Sequence, residues 1–198
     1  MPDRNQLLTE FIDALAVAAG AAPTAGLTGR IAVDRIFSML AEPRTTGSGQ
    51  SILLDACRHL DRALANARRG PEAVARLAAA FAPLARSLHW RLRPPEEGED
   101  PAFRDGHANA DVIGPTGLER HDDVVVGATL LAPGVTFPNH RHPPEEVYVV
   151  MSEGDWFNGD AGWHKPGVGG LIYHRPEIVH AMRSGQEPLL AFWCLHRP

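Results

Sequence analysis

Two histidines and a glutamate lie close together in the second half of the chain: His140, His142 and Glu146. His140 and His142 are two positions apart, so on an extended strand both imidazoles point to the same face. Glu146 follows Pro143 and Pro144, which are typical of a turn, and is expected to open the next strand. Two imidazoles and a carboxylate that share one face form a donor set suited to a borderline divalent metal ion.

A fourth donor would complete this set, and we choose His180 for it. His180 lies in a stretch where Gly170 and Pro176 indicate a turn that leads into a strand. His174 and His164 are alternative candidates for the same position. The sequence therefore predicts three imidazoles and one carboxylate around a single cation.

Alternation along the strand that follows the proline pair sets the direction of each side chain. Glu145 is the alternative carboxylate, and spacing alone favours Glu146. Tyr148 is two residues beyond Glu146, so its ring is expected on the same inward face, with Val147 and Val149 on the other. A nearby cation stabilises a phenolate and lowers the tyrosine pKa from its ordinary value of about 10. Tyr148 is therefore a candidate general base, and the alternative is an inward tyrosine that only fills space.

The elements that must position these residues differ between two parts of the chain. Residues 1–88 are rich in Ala, Leu and Arg, and their apolar residues recur at helical spacing. Residues 89–198 contain all four tryptophans, most of the glycines and prolines, and short β-branched runs between turn signals. We therefore predict a helical N-terminal region and a C-terminal antiparallel barrel or sandwich, joined through a polar connector at residues 94–105. The predicted strands are Val124–Leu131, Val147–Met151, Leu171–Tyr173 and Leu189–Cys194.

The composition limits the classes of partner and the cellular compartment that we expect for this protein. The net charge of -5 comes without a cluster of Lys and Arg, which argues against nucleic acid as a partner. No stretch approaches the ~20 apolar residues of a membrane span, and Glu10 and Asp13 interrupt the apolar run that a signal peptide would need. We expect a cytoplasmic protein in which Cys57 and Cys194 are buried free thiols. The helical region is expected to serve packing, or the assembly of a homodimer.

The histidine and glutamate spacing, with its flanking glycines, resembles the two motifs of the cupin superfamily. The motifs are Gly134-x5-His140-x-His142-x3-Glu146 and Gly170-x5-Pro176-x3-His180. This resemblance implies a mainly β fold whose C-terminal part is a cupin barrel, that is, a double-stranded β-helix or jelly roll. It also implies one bound divalent metal ion, which could be Fe, Mn, Zn, Ni or Co.

A narrower resemblance adds Tyr148 to this pattern. The strings HPPEEVYVVMSEG and HAMRSGQEPLLAFW are similar to the cupin-type dimethylsulfoniopropionate (DMSP) lyases, over residues 120–195 well and over the helical region in outline. The resemblance implies cleavage of DMSP, a small molecule, to dimethyl sulfide and acrylate by β-elimination. It implies Tyr148 as the catalytic base, and it implies as metal ligands His140, His142, Glu146 and His180.

A cationic sulfonium substrate also needs an electron-rich pocket, for which aromatic faces are suited. The aromatic candidates for this pocket are Phe137, Trp156, Trp163, Tyr173 and Trp193. Two other functions remain open at this point. One is another cupin metalloenzyme (a dioxygenase, an isomerase, or a lyase acting on a different small carboxylate) with at most promiscuous DMSP lyase activity, and the other is a non-catalytic ligand-binding cupin.

Overall fold

The computed structural model describes residues 4–22, 26–47, 50–95 and 97–197. A 3-10 helix at Asp55–His59 leads directly into an α-helix that begins at Leu60. The α-helices in these ranges are α1 (Gln6–Ala21), α2 (Gly26–Leu40), α3 (Leu60–Ala67), α4 (Glu72–Ala85) and α5 (Pro101–Gly106). The strands are β1 (His107–Ile113), β2 (Val124–Leu131), β3 (Thr136–His140), β4 (Glu145–Val150), β5 (Gly154–Asn158), β6 (Gly162–His164), β7 (Leu171–His174), β8 (His180–Ser184) and β9 (Leu189–His196).

The strands form two antiparallel sheets. One sheet has five strands in the order β1-β2-β9-β4-β7, and the other has four in the order β3-β8-β5-β6. All of their pairings are antiparallel. The two sheets enclose a barrel of the cupin type, so the predicted mainly β fold with preceding helices is confirmed.

The five-stranded sheet is buried on both faces. On β4, Val147 and Val149 pack into a core shared with the helices, whereas Tyr148 and Val150 pack inside the barrel. Period-2 alternation explains this division, since successive side chains of a strand point to opposite faces. Each strand of this sheet therefore carries one row of residues for the helices and one row for the barrel interior.

A cluster of three phenylalanines joins the helices to the sheet. Phe192 of β9 meets Phe11 of α1 at a ring-centroid distance of 5.2 Å and Phe81 of α4 at 4.7 Å. All three rings are fully buried. This contact fixes the outer face of β9 against the helices, and it leaves the inner face of β9 to line the barrel.

One element differs from the sequence-based expectation. The predicted connector, of which residue 96 lies outside the described ranges, contains the first five of the six residues of α5. This short helix begins at Pro101, and the side chain of Asp100 caps it by accepting a hydrogen bond from the Ala102 N–H at 2.9 Å. Both cysteines are buried free thiols, as expected. Within the described residues, no helix is both long and apolar enough to cross a bilayer.

Removing the Phe192 ring should loosen the helices from the barrel. We expect Phe192→Ala to lower the free energy of unfolding by about 3–5 kcal/mol, because the substitution leaves a cavity among buried rings. The matched control is Phe157→Ala on β5, since the Phe157 side chain is only half-buried and should cost less. Chemical denaturation followed by far-UV circular dichroism measures both values, and an equal loss in the two variants would contradict this view of the core.

Candidate metal centre

Three histidines and one glutamate converge inside the barrel. His140 ends β3, Glu146 lies in β4, His180 begins β8, and His142 follows β3 in the connecting loop. The Oε2 atom of Glu146 lies 3.2 Å from the Nε2 atom of His142 and 3.2 Å from the Nε2 atom of His180. Ring nitrogens of the three histidines lie within 4.8 Å of one another. The structure therefore brings together the four residues that the sequence singled out as ligands.

Each of these imidazoles is anchored through its other ring nitrogen. The Nδ1 atom contacts a backbone carbonyl oxygen in every case: Pro138 for His140 at 3.0 Å, Pro144 for His142 at 2.9 Å and Ile178 for His180 at 2.9 Å. A carbonyl only accepts, so Nδ1–H donates and the lone pair of each ring lies on Nε2. Histidines that bind metals are held in this way, with the second nitrogen bonded to a carbonyl or carboxylate.

The protonation states of His140 and Glu146 also fit a divalent ion. Burial alone would lower the pKa of His142, but the neighbouring Glu146 carboxylate raises it. Burial, followed by the neighbouring His180, lowers the pKa of His140 to about 3, so this ring is neutral. Burial alone would raise the pKa of Glu146, but the surrounding imidazoles hold it well below its usual range. Metal ions need neutral imidazoles and ionised carboxylates. In addition, His180 Nε2 is buried and has no hydrogen-bond partner among the described residues, as expected for an atom whose partner is an ion.

A cavity of about 210 Å³ opens onto this cluster. Tyr148 lines it with only 3% of its side chain exposed, on the same inner face as Glu146. Burial, and then the Glu146 carboxylate, raise the pKa of Tyr148 well above its usual value. The residues around the cavity are Arg91, Leu92, Arg93, Pro94, Asn109, Thr129, Phe137, His140, His142, Glu146, Tyr148, Trp193 and Leu195.

Two of the predicted pocket aromatics, Phe137 and Trp193, line this cavity. Trp193 of β9 is paired with Gly127 of β2, and a Cβ atom at position 127 would collide with the indole ring. This explains a glycine in the middle of a buried strand, because the missing side chain leaves the space that the indole fills. Trp156 is buried one layer away, with its ring centroid 4.9 Å from that of Tyr148.

The structure does not bring Trp163 and Tyr173 to the cavity, which corrects their assignment to the pocket. Tyr173 pairs with Val147 in the β4–β7 ladder and faces the helices, where its hydroxyl donates to Glu145 at 3.2 Å. Trp163 lies on the short edge strand β6 and is 43% exposed, with the Arg183 guanidinium 4.5 Å above its ring. Both side chains therefore face away from the barrel interior.

The structure also shows where the alternative ligand candidates Glu145, His164 and His174 lie. Glu145 points to the outer face, where Arg35 of α2 donates to its Oε1 atom at 2.7 Å. His164 lines a different cavity, next to the start of α2. His174 is fully buried beside Glu146, so it joins the cluster in addition to His180 rather than in its place.

Sequence reasoning missed residues 91–94, which form one wall of the cavity. Arg91 pairs with Asn109 of β1 through backbone hydrogen bonds, and its guanidinium donates to Asp111 at 2.7 Å. The Arg93 guanidinium donates to Glu99 at 2.7 Å. The contacts of Arg91 join this segment to a separate strand, so no local pattern could reveal them.

The chain is similar to known proteins over most of its length. A model of the dimethylsulfoniopropionate lyase (DMSP lyase) family matches residues 28–191. DddL of Cereibacter sphaeroides, which is named for a DMSP lyase, is 33% identical over 127 residues that cover 64% of this chain and 52% of DddL. The DMSP lyase DddQ of Ruegeria pomeroyi is 26% identical over 103 residues, which cover 52% of this chain and 51% of DddQ. The chain thus spans about half the length of the curated relatives it matches.

Solved structures extend the likeness to the helices. The crystal structure of DddQ from Ruegeria pomeroyi aligns with a TM-score of 0.74 and 20% identity over 98% of this chain and 92% of that chain. A structure described with the DMSP lyases RdDddP and RnDddQII aligns with a TM-score of 0.73 and 20% identity, over 96% of this chain and 92% of that chain. At this identity the alignments show a shared fold that includes the N-terminal helices.

Loss of one imidazole should greatly weaken metal binding at this site. We expect His142→Ala to weaken metal binding by more than about 100-fold, because even residues that only orient ligands are worth about 10–100-fold. Inductively coupled plasma mass spectrometry after dialysis gives the metal content per chain. The control is His164→Ala, which removes a histidine outside the cluster and should keep the metal content of the unmodified protein. Full metal content in His142→Ala would mean that the ligand set is wrong.

Proposed function

The chain belongs to the dimethylsulfoniopropionate lyase family, and we propose that it cleaves DMSP to dimethyl sulfide and acrylate at the cluster described above. The observation that carries the proposal is the shared inner face of Glu146 and Tyr148. A carboxylate that would hold the metal and a phenol whose deprotonated form could accept a proton both border one cavity. The sequence similarity to DMSP lyases supplies the substrate for this arrangement.

The cavity suits a small zwitterion. DMSP carries a carboxylate at one end and a dimethylsulfonium group at the other, and a cationic sulfonium is stabilised by aromatic faces such as those of Phe137 and Trp193. The two arginines in the wall are paired with carboxylates, Arg91 with Asp111 and Arg93 with Glu99. These pairs offset the charge that would otherwise repel the sulfonium.

The metal would be held by His140, His142, Glu146 and His180. When bound, a divalent ion supplies Lewis-acid stabilisation of the negative charge that develops on the substrate carboxylate as the α-proton leaves. The donor set includes imidazoles and a carboxylate, so it suits Fe, Mn, Co, Ni or Zn. Because the elimination changes no oxidation state, the reaction does not itself select among these metals.

Tyr148 would act as the base. As phenolate, its oxygen accepts the proton from the α-carbon of the substrate, and the electrons of that C–H bond form the new carbon–carbon double bond. The bond between the β-carbon and sulfur breaks with both electrons going to sulfur, which leaves neutral dimethyl sulfide and acrylate. Burial and the Glu146 carboxylate favour the protonated phenol, so positive charge in the cluster is needed to stabilise the phenolate.

Headspace gas chromatography tests the reaction directly. Purified protein given DMSP should release dimethyl sulfide and acrylate in equal amounts, and protein stripped of metal by a chelator should release neither. Activity with zinc and without oxygen supports an elimination. A strict requirement for Fe(II) and oxygen would instead indicate a dioxygenase of the same fold, and no release under any of these conditions would refute the lyase.

The two tyrosines of the chain provide a matched pair of variants. We expect Tyr148→Phe to retain its metal but to release dimethyl sulfide about 10²-fold or more slowly, in the range for loss of a general base. Tyr173→Phe removes the same hydroxyl from the outer face and should keep near-normal activity. Rates that are equal in the two variants would remove Tyr148 from the mechanism.

A further inference from the structure

His174 is a buried histidine to which neither the family motifs nor the mechanism above gives a role. It is fully buried in β7, directly opposite Glu146 in the β4–β7 ladder. Its ring centroid lies 4.1 Å from that of His180 and 5.8 Å from that of Tyr148. Thus it faces the barrel interior, behind the four residues assigned to the metal.

The imidazole of His174 lacks the anchor that the other three have. Among the described residues, neither its Nδ1 nor its Nε2 atom has a hydrogen-bond partner, although both are buried. Leaving two polar atoms unpaired in a protein interior is unfavourable, and most such atoms are bonded. At least one nitrogen of this ring is therefore free to bind a partner that is not one of the described residues.

The distance from His174 to Glu146 indicates what that partner is. The Nδ1 atom of His174 lies 3.7 Å from the Oε2 atom of Glu146, which is too long for a hydrogen bond. Two donors at about 2.1 Å from one ion lie between about 3.0 and 4.2 Å apart, for bond angles of about 90° to 180°. The 3.7 Å separation falls in this range, as do the 3.2 Å separations from Glu146 to His142 and to His180.

A second observation points the same way. Ligand atoms of Glu146, His174 and His180 all lie within 4.8 Å of one another, and all three residues are buried. His180 also belongs to the group formed with His140 and His142, and its Nδ1 atom is already bonded to Ile178, so only its Nε2 atom can bind an ion. Both groups therefore converge on the same nitrogen, which indicates one ion rather than two.

We propose that His174 is a fifth protein ligand of the metal centre. Five protein donors would exceed the four of a tetrahedral zinc site, so the donor set would suit Fe²⁺, Mn²⁺, Co²⁺ or Ni²⁺ better than Zn²⁺. This inference rests on the metal centre of the proposed function but not on the lyase reaction. It assigns a role to a fully buried polar residue of the cluster.

Cobalt-loaded protein tests the proposal, because the visible absorption of Co²⁺ becomes stronger as its coordination number falls. We expect His174→Phe to intensify the Co²⁺ absorption and to weaken Co²⁺ binding by about tenfold or more, measured by competition with a chelator. His174→Gln keeps an oxygen donor of similar reach. Its Co²⁺ absorption and affinity should lie between those of the unmodified protein and those of His174→Phe. His164→Gln, outside the cluster, should match the unmodified protein in both measurements.

Folding is controlled separately. Circular dichroism of the metal-free variants shows whether each retains the fold. If His174→Phe does not fold, His174→Gln decides the test. X-ray absorption of the Co²⁺-loaded unmodified protein needs no variant: four coordinated imidazoles are expected, and three would overturn the proposal. An unchanged spectrum and affinity in a folded His174 variant would overturn it as well.

The lyase proposal and this one can fail independently. Protein that binds Co²⁺ through four imidazoles but releases no dimethyl sulfide would refute the reaction and leave His174 as a ligand. Protein that releases dimethyl sulfide while the His174 variants keep the Co²⁺ spectrum and affinity of the unmodified protein would do the opposite. Spectroscopy and headspace analysis of the same preparations separate these cases.

Discussion

Burial of both faces of the five-stranded sheet is the constraint on which the rest of the molecule depends. One face packs against helices through residues such as Phe192, and the other encloses the polar cluster through residues such as Trp193. Adjacent residues of one strand therefore serve different purposes, since one fixes the helices and the next lines the cavity. The apolar contact of Phe192 with the helices fixes the position of β9. The side chains on the inner face of the strand are therefore already in place around the polar cluster.

Within the barrel, the charges of the cluster depend on one another. Glu146 is buried, and its ion pairs among the described residues are with the imidazoles of His142, His174 and His180, which hold its pKa low. The same carboxylate opposes ionisation of Tyr148. A divalent cation would satisfy both groups, because it pairs with the carboxylate and favours the phenolate. Glu146 and Tyr148 therefore share a requirement for positive charge, which one divalent cation would meet.

Local spacing predicted the parts of the site that depend on local geometry. His140, His142 and Glu146 could be assigned because two strands and one turn determine their directions. The direction of Tyr173 could not be assigned, because Leu171 and Ile172 are buried on opposite faces of β7 and period-2 alternation alone does not say which face is the interior. The wall at residues 91–94 could not be predicted either, since backbone pairing with Asn109 positions it and that contact is long-range.

The neighbouring carboxylates Glu145 and Glu146 have one more consequence. A misfolded form in which β4 slipped by one residue would exchange them, so a carboxylate would still reach the imidazoles while Tyr148 turned towards the helices. Such a form could still take up an ion but would lack the phenol in the cavity. A measurement of metal content alone would therefore not separate such chains from those in which Tyr148 lines the cavity.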